Sequence, residues 1–325
     1  MSDYINKRIE YINNWPNVTP FEAEKNFEKR CNDFESKNGR YPLSLMSLWM
    51  DTDDSYNRTI SHFIDSIDVM PYHPNFAFTF MFSALDYYAK NVYSNTNTTI
   101  CLKNLAEEVS VLANQNNDIN ILPTTLFSSI PVSATMYLYK CLCNLKQNNK
   151  AYSRLTTNVD NTDNVYRKNI VDSIEAKYGK DSQNRSPALL YRTIFRDDSV
   201  FLGGTIVNIT NNFRIHLLLS GIIYSLRNDS FHGSSMSSTK SSQTTPKRYA
   251  MNYYCYIATY TLMMILLVKS STMSDADKNN KYTELKDITL RNINDFTISY
   301  CGSEKCRFYA VFWVYFFDLH HFYTT

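Results

Sequence analysis

The fold turns on one stretch, residues 203–233: GGTIVNITNNFRIHLLLSGIIYSLRNDSFHG. Ile206, Ile209, Phe213, Leu217 and Tyr224 recur at helical spacing, with the small Ser220 filling the gap in the stripe. That period predicts a long helix with one buried face. Ile222, Ile223 and Leu226 widen the apolar surface near its end. Arg227, Asn228, Asp229 and His232 close the segment, and Gly233 follows where a helix takes a left-handed cap. The stretch is thus expected to carry an arginine, a carboxamide and an imidazole to one spot. Two readings of that spot stay open at this level. Cations in a last turn complement the helix dipole and need no further role. The same side chains also suit chemistry on a phosphate. Arg214 and His216, in mid-helix, are read as structural.

Composition narrows the function classes. Hydrophobic residues make up 44% of the 325, enough for a sizeable core. Only 7 residues are glycine, and neither G-x-G-x-x-G nor G-x-x-x-x-G-K-[ST] occurs, which counts against a dinucleotide fold or a phosphate loop. The formal charge of +2 means that any nucleic-acid site must be a local patch. The 7 cysteines include no C-x2-C pair, and Cys301 with Cys306 forms a lone C-x4-C, so no metal is expected. His320 and His321 are read as a packed or exposed pair. The opening MSDYINKRIEY is charged and lacks the apolar run of a secretory leader, so a reducing cytoplasmic setting is expected.

Upstream, Phe21 to Phe34 keeps helical spacing after Thr19-Pro20. Arg58-x3-His62 imitates the later Arg/His pair but lacks the apolar helix and the glycine, and is read as structural. His73-Pro74 is a boundary, because a residue before proline is biased away from helix. The next helix, NFAFTFMFSALDYYAKNVY, carries Asp86 and Lys90 four apart, acid first, the favourable order for an exposed ion pair. Ile100 to Ala113 predicts another helix, 114–120 a polar loop, and 127–145 an apolar helix. Residues 147–186 are rich in Asn, Asp, Lys and Ser and read as an insertion with one weak helix near 165–178. A short helix, ALLYRTIF, and a charged turn at 196–198 precede the central stretch.

After Gly233 the run SSMSSTKSSQTTPKR contains Lys240, Lys247 and Arg248 and no acid. It reads as a solvated loop or as a phosphate-contacting loop beside the site. Met251 to Val268 is uncharged throughout and reaches the threshold for a membrane span. Its six tyrosines and threonines near the start favour burial between helices or subunits, with no membrane contact. Residues 273–295 are polar. The aromatic tail predicts a small β-hairpin over 296–316, with helix the alternative.

The assembly RNDSFHG after an apolar helix resembles the R-x(4–6)-H motif of the HEPN superfamily, and ALDYYAK resembles the early helix of such domains. The resemblance covers roughly residues 74–270 and is most specific over Ser220 to Gly233. It implies a mainly α-helical bundle, with residues 1–73 and 271–325 as extensions. RNDSFHG is particularly similar to the versions in bacterial abortive-infection and related defence proteins. By resemblance, the chain is expected to be a metal-independent endoribonuclease without cofactor, in antiphage defence or as a toxin. A homodimer would bring two helix ends into one cleft, with an antitoxin or defence partner expected beside the RNA substrate. The rival expectation is a non-catalytic HEPN module binding RNA, nucleotide or protein.

The residue chemistry agrees. RNA can be cut by its own 2′-OH attacking the adjacent phosphate, given a proton acceptor, a proton donor and positive charge. His232 titrates in the range for general acid/base work. Arg227 would hold and stabilise the phosphate through its fork of donors. Asn228, one turn before His232, would orient the imidazole or bind a phosphate oxygen. Asp86 and Lys90 would flank the cleft. Arg227 and His232 are about 140° apart around an ideal helix, so they converge only by unwinding or by inward bending of the side chains.

Overall fold

Every residue from Tyr249 to Val268 is buried, and the other helices are arranged to cover that run. The structure is a computed structural model that describes residues 3–14, 17–143, 150–156, 161–179, 185–232 and 244–300. The fold is mainly α. Helices α1 (Asp3–Asn13), α2 (Glu22–Asn38) and α3 (Asp54–Asp68) precede α4 (Pro74–Val92). Next come α5 (Thr98–Gln115), α6 (Asn117–Ser128), α7 (Val132–Cys143), α8 (Lys150–Thr156), α9 (Asn161–Tyr178) and α10 (Arg185–Arg196). A hairpin, β1 (Ser199–Leu202) and β2 (Thr205–Asn208), leads to α11 (Asn211–His216), a π-helical segment (Leu217–Ile223) and α12 (Tyr224–His232). The long helices α13 (Pro246–Ser270) and α14 (Asp275–Tyr300) follow.

Helix starts follow local chemistry. Asp53, Asn97 and Asn116 each accept a backbone N–H from the first turn they precede, and Pro74 and Pro246 occupy first-turn positions where no donor is missed. Helix α13 packs on α4 and α14, and also meets α2. One cluster of buried residues runs from Ala23 through Leu85, Leu138 and Leu218 to Phe296, so both terminal regions share the core of the middle. Helix α13 is long and apolar enough to cross a bilayer. Here protein neighbours cover its whole apolar window, which accounts for its composition without lipid. The apolar π-helical segment is buried in the same chain. Of the two expected ways of burying the α13 run, between helices or between subunits, the structure shows the first.

Three local expectations change. The central helix does not begin at Gly203. Gly203 and Gly204 have φ of 56° and 88°, and this two-residue turn folds the chain into an antiparallel hairpin pairing Val200 with Val207. β-Branched Thr205, Ile206 and Val207 suit a strand, and Ile206 is 73% exposed rather than part of a buried stripe. The helix starts only after Thr210, whose hydroxyl accepts the Phe213 N–H. The polar loop at 114–120 is largely helical, because Asn116 caps α6 one residue after α5 ends. The polar stretch 273–295 lies in α14, whose Leu285, Ile293 and Phe296 reach the core. Phe296 to Tyr300 continue α14, while the rest of the expected terminal hairpin, with Cys301, Cys306, His320 and His321, lies outside the described residues.

The π-helical segment is held by close approach. A Cβ on Gly221 would stand 2.7 Å from Leu138 Cδ1 and 3.4 Å from Leu155 Cδ1, both on fully buried leucines. Gly221 thus lets α7 and α8 sit against the central segment. Gly221→Ala is expected to destabilise the fold by about 1–2 kcal/mol, overpacking outweighing the gain in helix propensity. Chemical denaturation of Gly221→Ala, Leu138→Ala and the double variant checks this. The double variant should lose less than the sum, and a Gly221→Ala chain as stable as the wild type would contradict it.

His216, at the end of α11, is buried against Arg167 of α9. Arginine only donates, so Nδ1 of His216 accepts and the ring is neutral. Burial, then the charges of Arg167, Lys103 and Arg154, push its pKa down to about 3. An unfolded histidine titrates near 6.5, so the unfolded chain binds the extra proton first as pH falls. This contribution to stability is complete above that value and is lost between about 6.5 and 3, by up to about 1.4 kcal/mol per pH unit. Urea midpoints at pH 7 and pH 5 should converge in His216→Gln relative to wild type; equal acid sensitivity of the two would contradict the assignment.

Candidate functional site

Helix α12 distributes its polar side chains over different neighbours. Tyr224 and Arg227, one turn apart, meet α4. The Tyr224 ring stacks on Phe82 at 5.9 Å and 12°, and the Arg227 guanidinium lies 5.7 Å from the same Phe82 ring. Such contacts attract a cation to the ring face. Arg227 Nη1 also donates to Asn228 Oδ1 at 3.1 Å. The carboxamide therefore steadies the guanidinium next to it. Both residues are half-buried, reachable from solvent but held by packing.

Ser225 and Asp229, one turn apart, meet α7 and α8. Tyr137 donates its hydroxyl to Asp229 Oδ2 at 2.9 Å. Tyr137 and Cys141, one turn apart on α7, are hydrogen-bonded, and burial pushes the Cys141 thiol up to about 11. Burial pushes the Tyr137 hydroxyl well above the usual phenol range, with Cys141 and Asp229 adding to it. Neither group ionises near neutral pH, so neither adds negative charge to this corner. From α8, Arg154 Nη2 donates to Ser225 Oγ at 2.6 Å and to the Ser220 carbonyl at 3.3 Å, and its guanidinium covers the Tyr224 ring at 4.7 Å. At the start of α13, burial lowers the pKa of Arg248, and Tyr137 and Asp229, within electrostatic reach, oppose the shift.

The expected residues are thus only partly assembled. Arg227 and Asn228 are joined directly. His232 is the last residue of α12, and its side chain lies outside the described part of the structure. Helix α12 stays α-helical to that residue, so the backbone does not unwind to bring Arg227 and His232 onto one face. Asp86 and Lys90 bond to each other at 2.8 Å, and Thr98 donates to the other Asp86 oxygen at 2.7 Å. Both carboxylate oxygens are engaged, so this pair braces α4 one and two turns beyond Phe82. Lys247 is exposed, Arg248 turns inward, and Lys240 lies outside the described residues.

Arg154, Tyr137 and Phe82 are neighbours that the sequence pattern did not single out, and Tyr224 was read only as part of the apolar stripe. Arg154 sits in the Asn-rich stretch read as an insertion, and nothing beside it marks it. Tyr137 and Cys141 share the face of an apolar helix whose spacing reads as core. Among the described residues, no group of three His, Cys, Asp or Glu side chains could hold a metal ion. The site brings three guanidiniums, one carboxylate and several hydroxyls to the end of the central helix, an arrangement suited to holding an anion. No family model, curated protein or solved structure matches this chain.

Proposed function

We propose that this chain is a metal-independent HEPN-type endoribonuclease that cuts RNA by attack of a 2′-OH on the adjacent phosphate. The observation that carries the reading is the end of α12. Arg227 is held there by Phe82 and Asn228, with Arg154 and Arg248 on the neighbouring helices. Fixed guanidiniums in a partly desolvated site stabilise a phosphorane more than mobile surface cations do. Arg227 binds the scissile phosphate. His232, four residues after Asn228, is the general acid/base. Asn228 sets the Arg227 head. Asp86 and Lys90 support the α4 wall.

One imidazole in each Arg227–Asn228–His232 set leaves one proton transfer without a partner. A homodimer with two α12 ends facing each other would supply the second. The reading places the protein in the cytoplasm, in RNA restriction during phage infection or as a toxin, with an antitoxin or defence partner controlling it.

Purified variants acting on total RNA test the proposal. His232→Ala and Arg227→Ala should each lower cleavage by roughly 10²-fold or more with unchanged helicity by circular dichroism. His232→Ala mixed with wild type should depress activity beyond simple dilution if two subunits share a site. Full cleavage by His232→Ala would overturn the mechanism. RNA binding by wild type without cleavage would favour the non-catalytic module, and strictly proportional loss on mixing would mean that each subunit cuts alone.

A further inference from the structure

We infer that Arg154 and the Ser225 hydroxyl form a second anion subsite, which takes a further phosphodiester of the RNA strand that is cut. This rests on the proposed RNA-cleaving role of the same site. Arg154 reaches the central helix from α8, in the Asn-rich stretch, and bonds there only to neutral groups. Both bonds use Nη2. Its Nε is buried without a hydrogen-bond partner, and so is the nearby Ser220 hydroxyl. Among the described residues no carboxylate lies within ion-pair distance of Arg154; Asp229, which acts on it from farther away, is bonded to Tyr137. A part-buried guanidinium with unused donors and no paired anion is poised for one.

The neighbours define the chemistry of that anion. Tyr224 carries Arg154 on its ring and stacks on Phe82, which carries Arg227. Two guanidiniums are thus linked through one aromatic stack, so anions at Arg154 and Arg227 lie along one continuous surface. Two phosphates of one single strand meet that requirement, and the planar fork of arginine fits phosphate oxygens. The Ser225 hydroxyl accepts from Arg154 and donates to the Ser220 carbonyl over a long 3.5 Å; turning that proton to the anion adds a second polar contact. Helix α8 would then be part of the substrate cleft and not a surface insertion.

The test uses the full chain and RNA made uncleavable by 2′-O-methylation. Binding is measured across a salt series for wild type, Arg154→Gln and Arg154→Lys. Arg154→Gln should weaken binding and flatten the plot of log K against log salt by about 0.7, the share of one single-strand phosphate. Arg154→Lys keeps the charge and should keep the slope, which separates loss of a phosphate contact from loss of the Ser220 and Ser225 bonds. An unchanged slope and affinity in Arg154→Gln would overturn the subsite. If wild type binds this RNA but cuts no natural RNA, the nuclease reading fails while the slope still judges Arg154. If wild type binds no RNA, tripolyphosphate decides: a rise in wild-type Tm that Arg154→Gln lacks keeps the anion subsite, and equal behaviour of the two chains removes it.

Discussion

Burial of α13 is the constraint on which the rest of the structure depends. A helix buried from Tyr249 to Val268 must satisfy its polar side chains inside, and three of its tyrosine hydroxyls do so on backbone groups of other segments. Tyr253 donates to the Pro42 carbonyl at 2.6 Å, Tyr254 donates to the Leu126 carbonyl at 2.9 Å, and Tyr260 accepts the Met46 N–H at 2.7 Å. Thr261 meets Thr289 of α14 at 3.2 Å. Each bond pairs a group whose burial alone would cost about 1–3 kcal/mol. Helix α13 therefore anchors the extended segment after α2 and the end of α6. Its first turn delivers Arg248 to the candidate site.

The site itself hangs on the central segment. Its π-helical turn is buried against α7 and α8, and Gly221 permits that contact. Arg154 binds the Ser220 carbonyl within the turn and the Ser225 hydroxyl just beyond it. The same turn therefore sets the pitch of α12 and places a second guanidinium beside it. Packing, rather than any metal ligand set, is what brings the charged groups of three separate helices into one corner. Arg214, by contrast, spends its donors on Ile194, Asp197, Asp198 and Asn211, and serves to fasten α11 to the end of α10.

Much of the helical order was legible because apolar periodicity is a direct record of burial. The uncharged α13 is an example. The buried face of α4, with Phe78, Phe82 and Leu85, was not picked out: a face through Phe76 and Phe80 fitted the period as well, yet Phe76 is exposed. The hairpin was missed because Ile206 and Ile209 fit a helical period by chance, while the deciding signal was the two adjacent glycines with positive φ. Helix α14 was missed because its core contacts are spaced among long polar runs. In the site, Arg227 and Asn228 were legible since they adjoin on one helix end. Arg154 was not, because its role depends on a contact 71 residues along the chain. The Asp86–Lys90 pair was legible as a pair, but only the structure shows that Thr98 takes the remaining oxygen.

The most direct measurement of the central claim is end-group analysis of an oligonucleotide cut by the purified chain in EDTA, beside the same oligonucleotide carrying a single 2′-deoxy nucleotide at the cut. The account predicts a 2′,3′-cyclic phosphate or its 3′-phosphate product from the first and no cut at that position in the second. Cleavage of the 2′-deoxy position, or cleavage that appears only when Mg²⁺ is restored, would contradict it.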